Sequence, residues 1–146
     1  MNQPPNAANP NRGSTIFRLI AVWDLCLCLP FALPLVNAVS VDGLRLLHGW
    51  LGSSAQFPDF APFHLFFVQL FGILGVLWAL VRIQRPQAWL AAWDAAGRLV
   101  VAIVMISFWL QGGTPVTALF SLSELGWGLV AAVLLLRARA KGTIFP

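Results

Sequence analysis

The stretch Ala91-Ala-Trp-Asp94-Ala-Ala-Gly-Arg98-Leu-Val-Val101 opens a long apolar segment, yet it carries an acid and a base four residues apart. At helical spacing these two side chains lie on one face, where they can pair. Ionisable groups within a bilayer-spanning helix are costly, so they face a bundle interior or a water-filled cavity. The stretch therefore predicts a membrane-spanning helix whose polar face points towards other helices.

The composition of the whole chain is that of a membrane protein. Hydrophobic residues make up 59% of its 146 residues, charged residues make up 10%, and the mean hydropathy is +0.80. A soluble domain needs more charge than this to cover its surface. The basic residues lie at segment ends and do not cluster into a single basic surface that could bind nucleic acid, which argues against a nucleic-acid partner. We predict an all-α integral membrane protein whose first partner is the lipid bilayer.

Four apolar runs are long enough to cross a hydrocarbon core of about 30 Å at about 1.5 Å per residue. They form a predicted four-transmembrane-helix bundle within residues 15–138, flanked by a disordered, Asn- and Pro-rich cytoplasmic tail (1–14) and a cytoplasmic C-terminal tail (139–146). Pro30 and Pro34 should kink the first span. The predicted spans are residues 16–39, 63–82, 87–110 and 116–137. Close helix packing is predicted at Gly72, Gly75, Gly126 and Gly128.

The longest connection, residues 40–61, should contain a short helix. Leu44, Leu47 and Leu51 recur at helical spacing beside Trp50. This segment is too short to span, but its apolar side suits a helix lying in the membrane interface. We therefore predict a short interfacial helix in the first outer loop.

The basic residues are distributed unequally between the two membrane faces. Arg45 alone falls in the outer connections, and Arg98 lies within a span. By the positive-inside rule, this asymmetry places both termini in the cytoplasm, which we assign to a bacterial inner membrane. The residues assigned to the cytoplasmic face are Arg12, Arg18, Arg82, Arg85, Arg137, Arg139 and Lys141.

Counting along the helices predicts the depth of the polar residues. Gln69, Arg98 and Glu124 each stand thirteen residues from an arginine assigned to the cytoplasmic face, or about 20 Å. They should therefore share one level near mid-membrane. Asp94 should lie about 6 Å nearer the cytoplasm, and Asp24 at the level of Asp94. Arg98 then becomes the centre of an interhelical site.

The two halves of the chain resemble each other weakly. Trp23-Asp24 in the first span has a counterpart in Trp93-Asp94 in the third. A duplicated two-helix hairpin would explain this, and so would chance recurrence in apolar sequence.

We interpret the polar centre as a binding site with catalytic capacity. Three acids against one arginine leave some acids protonated unless water enters, and a neutral acid beside a charged pair suits proton transfer or the gripping of a polar head. The alternative is an ion-pair network that only fastens the helices, although interhelical polar contacts in membranes average about 0.6 kcal/mol. The predicted catalytic residues are Asp24, Asp94 and Glu124, and the predicted ligand-binding residues are Gln69, Arg98, His64, Trp23, Trp93 and Trp127.

No metal and no cofactor are predicted. Cys26 and Cys28 stand two apart, a spacing that is neither a metal nor a redox motif. His48 and His64 are sixteen residues apart and match no haem or metal signature. Phosphate loops, nucleophile elbows and zinc-protease motifs do not occur in the sequence.

The pattern resembles the four-helix membrane domain called EXPERA, found in sterol isomerases of the emopamil-binding type and in the sigma-2 receptor. The resemblance covers about the first two-thirds of the chain and is carried by Leu29-Pro-Phe-Ala-Leu-Pro34, Leu46-Leu-His-Gly-Trp50 and Ala61-Pro-Phe-His64. It implies intramembrane carboxylates that grip a cationic or carbocation-like centre. The chain departs from that family at Gln69, where an acid would be expected, and at Arg98. The layout is also similar to that of small bacterial DoxX-like membrane proteins.

Three functions follow from these observations. The first is binding of a lipophilic small molecule with a polar head, with acid/base conversion of that molecule as an extension. The second is a non-catalytic accessory subunit of a larger membrane complex, or a homo-oligomer, with the polar groups serving assembly. The third is ion or proton movement, which a fixed cation at Arg98 disfavours for cations.

Overall fold

The computed structural model describes residues 11–140, and all of the regular structure in this range is helical, without a strand. Five helices follow one another along the chain. They are α1 (Asn11–Ala32), α2 (Val36–Trp50), α3 (Pro62–Gln84), α4 (Ala88–Leu110) and α5 (Pro115–Ala140).

Four of the helices are long and apolar enough to cross a membrane. α1, α3, α4 and α5 contain stretches of 20 to 23 residues with mean hydropathy between 1.7 and 2.1. At about 1.5 Å per residue such stretches match a hydrocarbon core of about 30 Å. Their outward surfaces are formed largely by exposed Leu, Val, Phe and Trp side chains, as lipid contact requires. This confirms the predicted all-α chain with four membrane-spanning lengths of helix.

The first predicted span, residues 16–39, is wrong at its C-terminal end. α1 stops at Ala32, and a new helix starts at Val36. Pro34 cannot donate the next helical hydrogen bond, and its ring disfavours helical geometry in the residue before it. Leu35 then takes a positive φ of 68°, which turns the chain away from the axis of α1.

α2 is longer than the short helix predicted for the connection 40–61, and it starts before that connection begins. Asn37, Val41 and His48 are buried, and α2 contacts α1, α3 and α5. Leu46 and Trp50 point outward and are exposed. α2 therefore has one face on the helical bundle and one apolar face that the rest of the described chain leaves uncovered.

His48 fastens α2 to the start of α5. Its Nε2 lies 2.8 Å from the carbonyl oxygen of Ala55, and its Nδ1 lies 2.8 Å from the hydroxyl of Thr114. Because a carbonyl only accepts, Nε2 carries a proton and donates it to Ala55, and Nδ1 shares a hydrogen bond with the Thr114 hydroxyl. That hydroxyl oxygen in turn accepts the backbone N–H of Val116. Both nitrogens of this buried imidazole are thus in use.

The predicted tails fall partly outside the described residues. Residues 11–14 belong to α1, so the disordered tail predicted for 1–14 is wrong there, and residues 1–10 lie outside the described range. Likewise, residues 139 and 140 continue α5, whereas 141–146 of the predicted C-terminal tail lie outside that range.

Glycines bring α1 and α3 into backbone contact. A Cβ atom added at Gly72 would lie 2.5 Å from the backbone nitrogen of Ala32, and one at Gly75 would lie 2.5 Å from Sγ of Cys28. Small residues of this kind allow close approach where lipid gives no hydrophobic drive between helices. The predicted packing role of Gly72 and Gly75 is confirmed. We call α1 and α3 the first helix pair.

α4 and α5 form the second helix pair, and they too pack closely along their length. Gly128 of α5 faces Arg98, whose Cβ would lie 3.5 Å from an added Cβ, an ordinary contact. The packing role predicted for Gly126 is wrong, because a Cβ there would meet nothing within 4 Å. Gly126 lies on an open side of α5.

Candidate functional site

The centre of the molecule holds two arginines and three carboxylates from four helices. Asp24 comes from α1, Arg82 from α3, Asp94 and Arg98 from α4, and Glu124 from α5. We call these five residues the charge cluster. Each lies on the inward side of its helix, where it contacts at least one charged group of another helix.

Arg82 binds both aspartates. Its Nη2 lies 2.6 Å from Oδ2 of Asp24 and its Nη1 lies 2.7 Å from Oδ1 of Asp94. Its Nε donates to the carbonyl oxygen of Trp78 at 3.4 Å, and its guanidinium stands 5.6 Å from the centre of the Trp78 ring. With 1% of its side chain exposed, Arg82 is the most enclosed member of the cluster.

Arg98 binds all three acids. Its Nε lies 2.9 Å from Oδ2 of Asp94, its Nη1 lies 2.9 Å from Oε2 of Glu124, and its Nη2 donates to Oδ2 of Asp24. The bond to Asp94 is the i,i+4 pair visible in the sequence, and the other two reach across to α1 and α5.

These contacts close into a ring of alternating charge. Asp24 and Asp94 are each bound by both Arg82 and Arg98, so two acids and two bases balance each other. Charges buried in low dielectric are tolerated when they are paired and hydrogen-bonded in this way. The ring is therefore internally neutral and well satisfied.

Glu124 stands outside this balance. Within the described part of the chain it forms an ion pair with Arg98 alone, whereas Asp94 accepts from Arg82, Arg98 and the indole nitrogen of Trp78 at 3.1 Å. The exposed fractions follow the same order, at 24% for the Glu124 side chain, 14% for Asp24 and 4% for Asp94. Glu124 is thus the acid with capacity left for another donor.

A shallow groove of about 300 Å³ runs along α5, and the residues that line it bracket Glu124 in the sequence without including it. It is lined by Ser123, Gly126, Trp127 and Val130, and its surface is almost wholly apolar. Trp127 lies one helical turn beyond Glu124, so both side chains lie on neighbouring parts of one face. We call this feature the α5 groove.

One residue of the α5 groove, Trp127, lies where α5 meets α1. The rings of Trp127 and Trp23 are 6.3 Å apart, centre to centre, and tilted by 51°. We call this contact line the α1–α5 seam. Trp23 is nearly half exposed there, so the seam borders the lipid-facing surface.

Three residues predicted for the site lie elsewhere. The amide nitrogen of Gln69 donates to the carbonyl of Ala32 at 3.3 Å and so caps the C-terminal end of α1. His64 accepts the backbone N–H of Ala61 at 3.2 Å and caps the start of α3. Trp93 is exposed on the outer face of α4. The structure brings together Asp24, Asp94, Arg98 and Glu124, with Trp23 and Trp127 nearby.

One error explains both why Gln69 lies at a different depth from the one predicted and why Arg82 was not expected in the site. The depth count treated Arg82 as a surface marker, but its guanidinium lies in the charge cluster. Gln69, thirteen residues earlier on the same helix, is therefore about 20 Å along the axis from Arg82. The assignment of Arg82 to the cytoplasmic face is wrong.

Sequence reasoning also missed Trp78, which hydrogen-bonds Asp94. The imbalance of three buried acids against one arginine was the available signal that a second base was needed. Arg82 stands only two residues from the end of α3, and a long side chain from that position can reach either the surface or the interior.

The arrangement can accept a donor but shows no metal centre. Among the described residues no group of three or more His, Cys, Asp or Glu side chains is placed to hold a metal ion. Glu124 can receive a hydrogen bond or a positive charge, with Arg98 holding the carboxylate in place. The α5 groove next to it can take an apolar chain.

No family model matches the chain, and neither a curated protein nor a solved structure shows significant similarity to it. The likeness to EXPERA-type and DoxX-like proteins therefore rests on the sequence pattern alone.

Proposed function

We propose that this integral membrane protein binds a lipophilic molecule whose polar head donates a hydrogen bond or carries a positive charge. Glu124 receives the head, and the α5 groove receives part of the apolar body. The observation that carries this proposal is that Glu124 is the carboxylate in excess over the arginines and the most exposed of the three acids.

The physical argument rests on what each carboxylate lacks. Asp24 and Asp94 are each bound by two arginines and are less exposed than Glu124, so they mainly hold Arg98 in place. A carboxylate within a bilayer that has a single charged partner gains much from a second donor, because hydrogen bonds to charged groups contribute about 1.5–3 kcal/mol. If the bound molecule is converted by acid/base chemistry, Glu124 is the group that exchanges the proton.

The depth of Glu124 supports a lipophilic ligand. It stands nine residues from the start of α5, or about 13 Å along a hydrocarbon core of about 30 Å. A molecule that reaches this depth must bring a small head on a largely apolar body, because large charged heads stay near the interface. The groove volume of about 300 Å³ is at the lower limit for ligand sites, which fits one chain or ring system.

The proposed orientation places both termini in the cytoplasm of a bacterial cell, with the protein in the inner membrane. With Arg82 withdrawn into the charge cluster, Arg18, Arg85 and Arg137 still oppose the single outer Arg45. α2 then lies in the outer interface with Leu46 and Trp50 towards lipid. Its ion pair between Arg45 and Asp42, at 2.6 Å, would lie towards water.

Two glycines give a matched test. Gly126 lines the α5 groove and Gly97 lies on the exposed side of α4, and a Cβ at either position meets nothing within 4 Å. Gly126→Leu should therefore fill the groove without disturbing the fold, and Gly97→Leu should fill nothing. Native mass spectrometry of protein purified in mild detergent, with and without a bacterial lipid extract, then reports bound small molecules.

We expect a bound molecule on the wild type and on Gly97→Leu, its loss from Gly126→Leu at unchanged thermal stability, and its loss from Glu124→Gln. Equal occupancy in all four proteins would refute the site. If no molecule binds but a discrete membrane protein co-purifies, the chain is an accessory subunit instead.

A further inference from the structure

The two helix pairs differ in how they are held. Within each pair the helices pack closely along their length, through Gly72 and Gly75 in the first pair and at Gly128 in the second. Between the pairs, backbone approach is sparse, and the contacts come mainly from side chains. They include the charge cluster and an apolar cluster in which Phe17 of α1 packs with Leu90 and Ala91 of α4 and with Leu135 of α5.

Several of the contacts across the pairs are polar. Arg82 binds Asp94, and Arg98 binds Asp24, so each arginine reaches into the other pair. The indole of Trp78 donates to Asp94 as well. Aromatic contact along the α1–α5 seam and the bond from His48 on α2 to Thr114 add to these contacts.

Each pair also keeps its own counter-charges. Arg82 binds Asp24 inside the first pair, at 2.6 Å, and Arg98 binds Asp94 and Glu124 inside the second, at 2.9 Å each. Losing both cross-pair ion contacts therefore leaves no arginine or carboxylate unpaired. Separating an ordinary buried ion pair strands two charges at a cost of several kcal/mol, and this ring avoids that cost.

The connection between α3 and α4 sets where the pairs can separate. Arg85, Pro86 and Gln87 are the whole of that connection, and Pro86 is buried. α3 and α4 are thus tied together close to the charge cluster. At the same end, α1 and α5 have no such short link and meet through side chains of the apolar cluster, Phe17 and Leu135 among them, so separation would run along the α1–α5 seam, with the α3–α4 connection as the axis.

We propose that the two helix pairs are separable bodies that open along the α1–α5 seam, with the ring of Asp24, Arg82, Asp94 and Arg98 as the clasp. Opening exchanges cross-pair ion contacts for the contacts already present inside each pair. It also parts Phe17 from the apolar cluster on α4 and α5, and it exposes Glu124 sideways to the bilayer, so a lipophilic ligand would reach the site from the membrane. That last step rests on the proposed function, whereas the opening itself does not.

Charge reversal within one pair tests the clasp. In a Glu124→Gln background, D24R together with R82D keeps opposite charges inside the first pair but makes both cross-pair contacts like-charged. Adding D94R and R98D reverses the whole ring and restores alternation at every contact. Glu124→Gln is included throughout because Glu124 would repel the reversed ring, and Glu124→Gln alone is the matched control.

Distances are measured by double electron–electron resonance on the full-length protein in nanodiscs. Spin labels at Leu19 and Leu129, both exposed, report across the α1–α5 seam, and labels at Leu19 and Leu77 report inside the first pair. Cys26 and Cys28 are replaced by alanine so that only the introduced sites are labelled.

We expect the half-reversed ring to shift the seam distances to longer and broader values, and the fully reversed ring to return them to those of the control. The distance inside the first pair should stay constant in every variant. A seam distance unchanged by half reversal, or still long after full reversal, would overturn the proposal. Loss of the within-pair distance would also overturn it, because the pairs would not be self-sufficient.

The role of the ligand is tested in a separate experiment. The seam is measured without and with bacterial lipid extract, and bound molecules are counted by native mass spectrometry. A seam that opens on half reversal in a protein that never retains a molecule leaves the clasp standing and removes the proposed function.

Discussion

Replacing Arg82 with methionine should strongly destabilise the protein. The side chain is 1% exposed and makes charge-assisted bonds of 2.6 and 2.7 Å to Asp24 and Asp94. Two hydrogen bonds to charged groups, at about 1.5–3 kcal/mol each, agree with the 3–5 kcal/mol typical of removing one partner of a buried ion pair. We expect Arg82→Met to lower the free energy of unfolding by about 3–5 kcal/mol.

The measurement is reversible unfolding in mixed micelles, followed by tryptophan fluorescence. Arg85→Met is the matched control, because Arg85 lies three residues further along the chain and is exposed. As a surface substitution it should change stability by no more than about 0.5 kcal/mol. A double variant, Arg82→Met with Asp24→Asn, removes a charge of each sign and should recover about 1–3 kcal/mol of the single loss.

Two results would refute this reasoning. If Arg82→Met and Arg85→Met differ by less than about 0.5 kcal/mol, the charge cluster does not hold the helix pairs together. If the double variant loses the sum of the two single effects, Arg82 and Asp24 are not coupled, and the ring does not act as a unit.

Two further predictions concern helix contacts outside the charge cluster. Gly72→Ala should lower the free energy of unfolding by about 1–3 kcal/mol, because its Cβ would lie 2.5 Å from a backbone atom of α1. Gly97→Ala, whose Cβ would meet open space, should be neutral or stabilising in the same unfolding assay. Gln69→Leu should lower the free energy of unfolding by about 0.5–1.5 kcal/mol, because the hydrogen bond that caps Ala32 is lost, and the bound molecule should be retained. Loss of the bound molecule in native mass spectrometry would show that Gln69 belongs to the binding site.

The sequence was sufficient to predict the helices but not their lateral neighbours. Long apolar runs end where charges, glycines or prolines begin, so α3, α4 and α5 start and end within three residues of their predicted limits. Pro34 was expected to kink a helix that it instead ends, because a kink and a break follow from the same missing N–H group. The choice between them depends on capping partners such as Gln69, which come from another helix.

The site was predictable where an interval along one helix decided it. Asp94 and Arg98 pair at i,i+4, and residue counting placed Glu124 level with Arg98. Residue counting failed for Arg82, because an arginine side chain can reach across about half the depth of a membrane leaflet. That reach exceeds what residue counting resolves. A nearly uniform apolar sequence does not determine which face of each helix points towards the other helices.

The burial of Arg82 also bears on how the protein is assembled in the membrane. When α3 is synthesised, Asp24 is the only partner of the Arg82 guanidinium within the charge cluster that has already been made. Asp94 follows Arg82 by twelve residues. In the proposed orientation, the arginine could extend towards the cytoplasmic face until α4 arrives, and it would count there as a positive charge that orients the chain. Once Asp94 is in place, the same residue is drawn inward. One side chain thus serves as a topology signal during synthesis and as a fastening between helices in the finished fold.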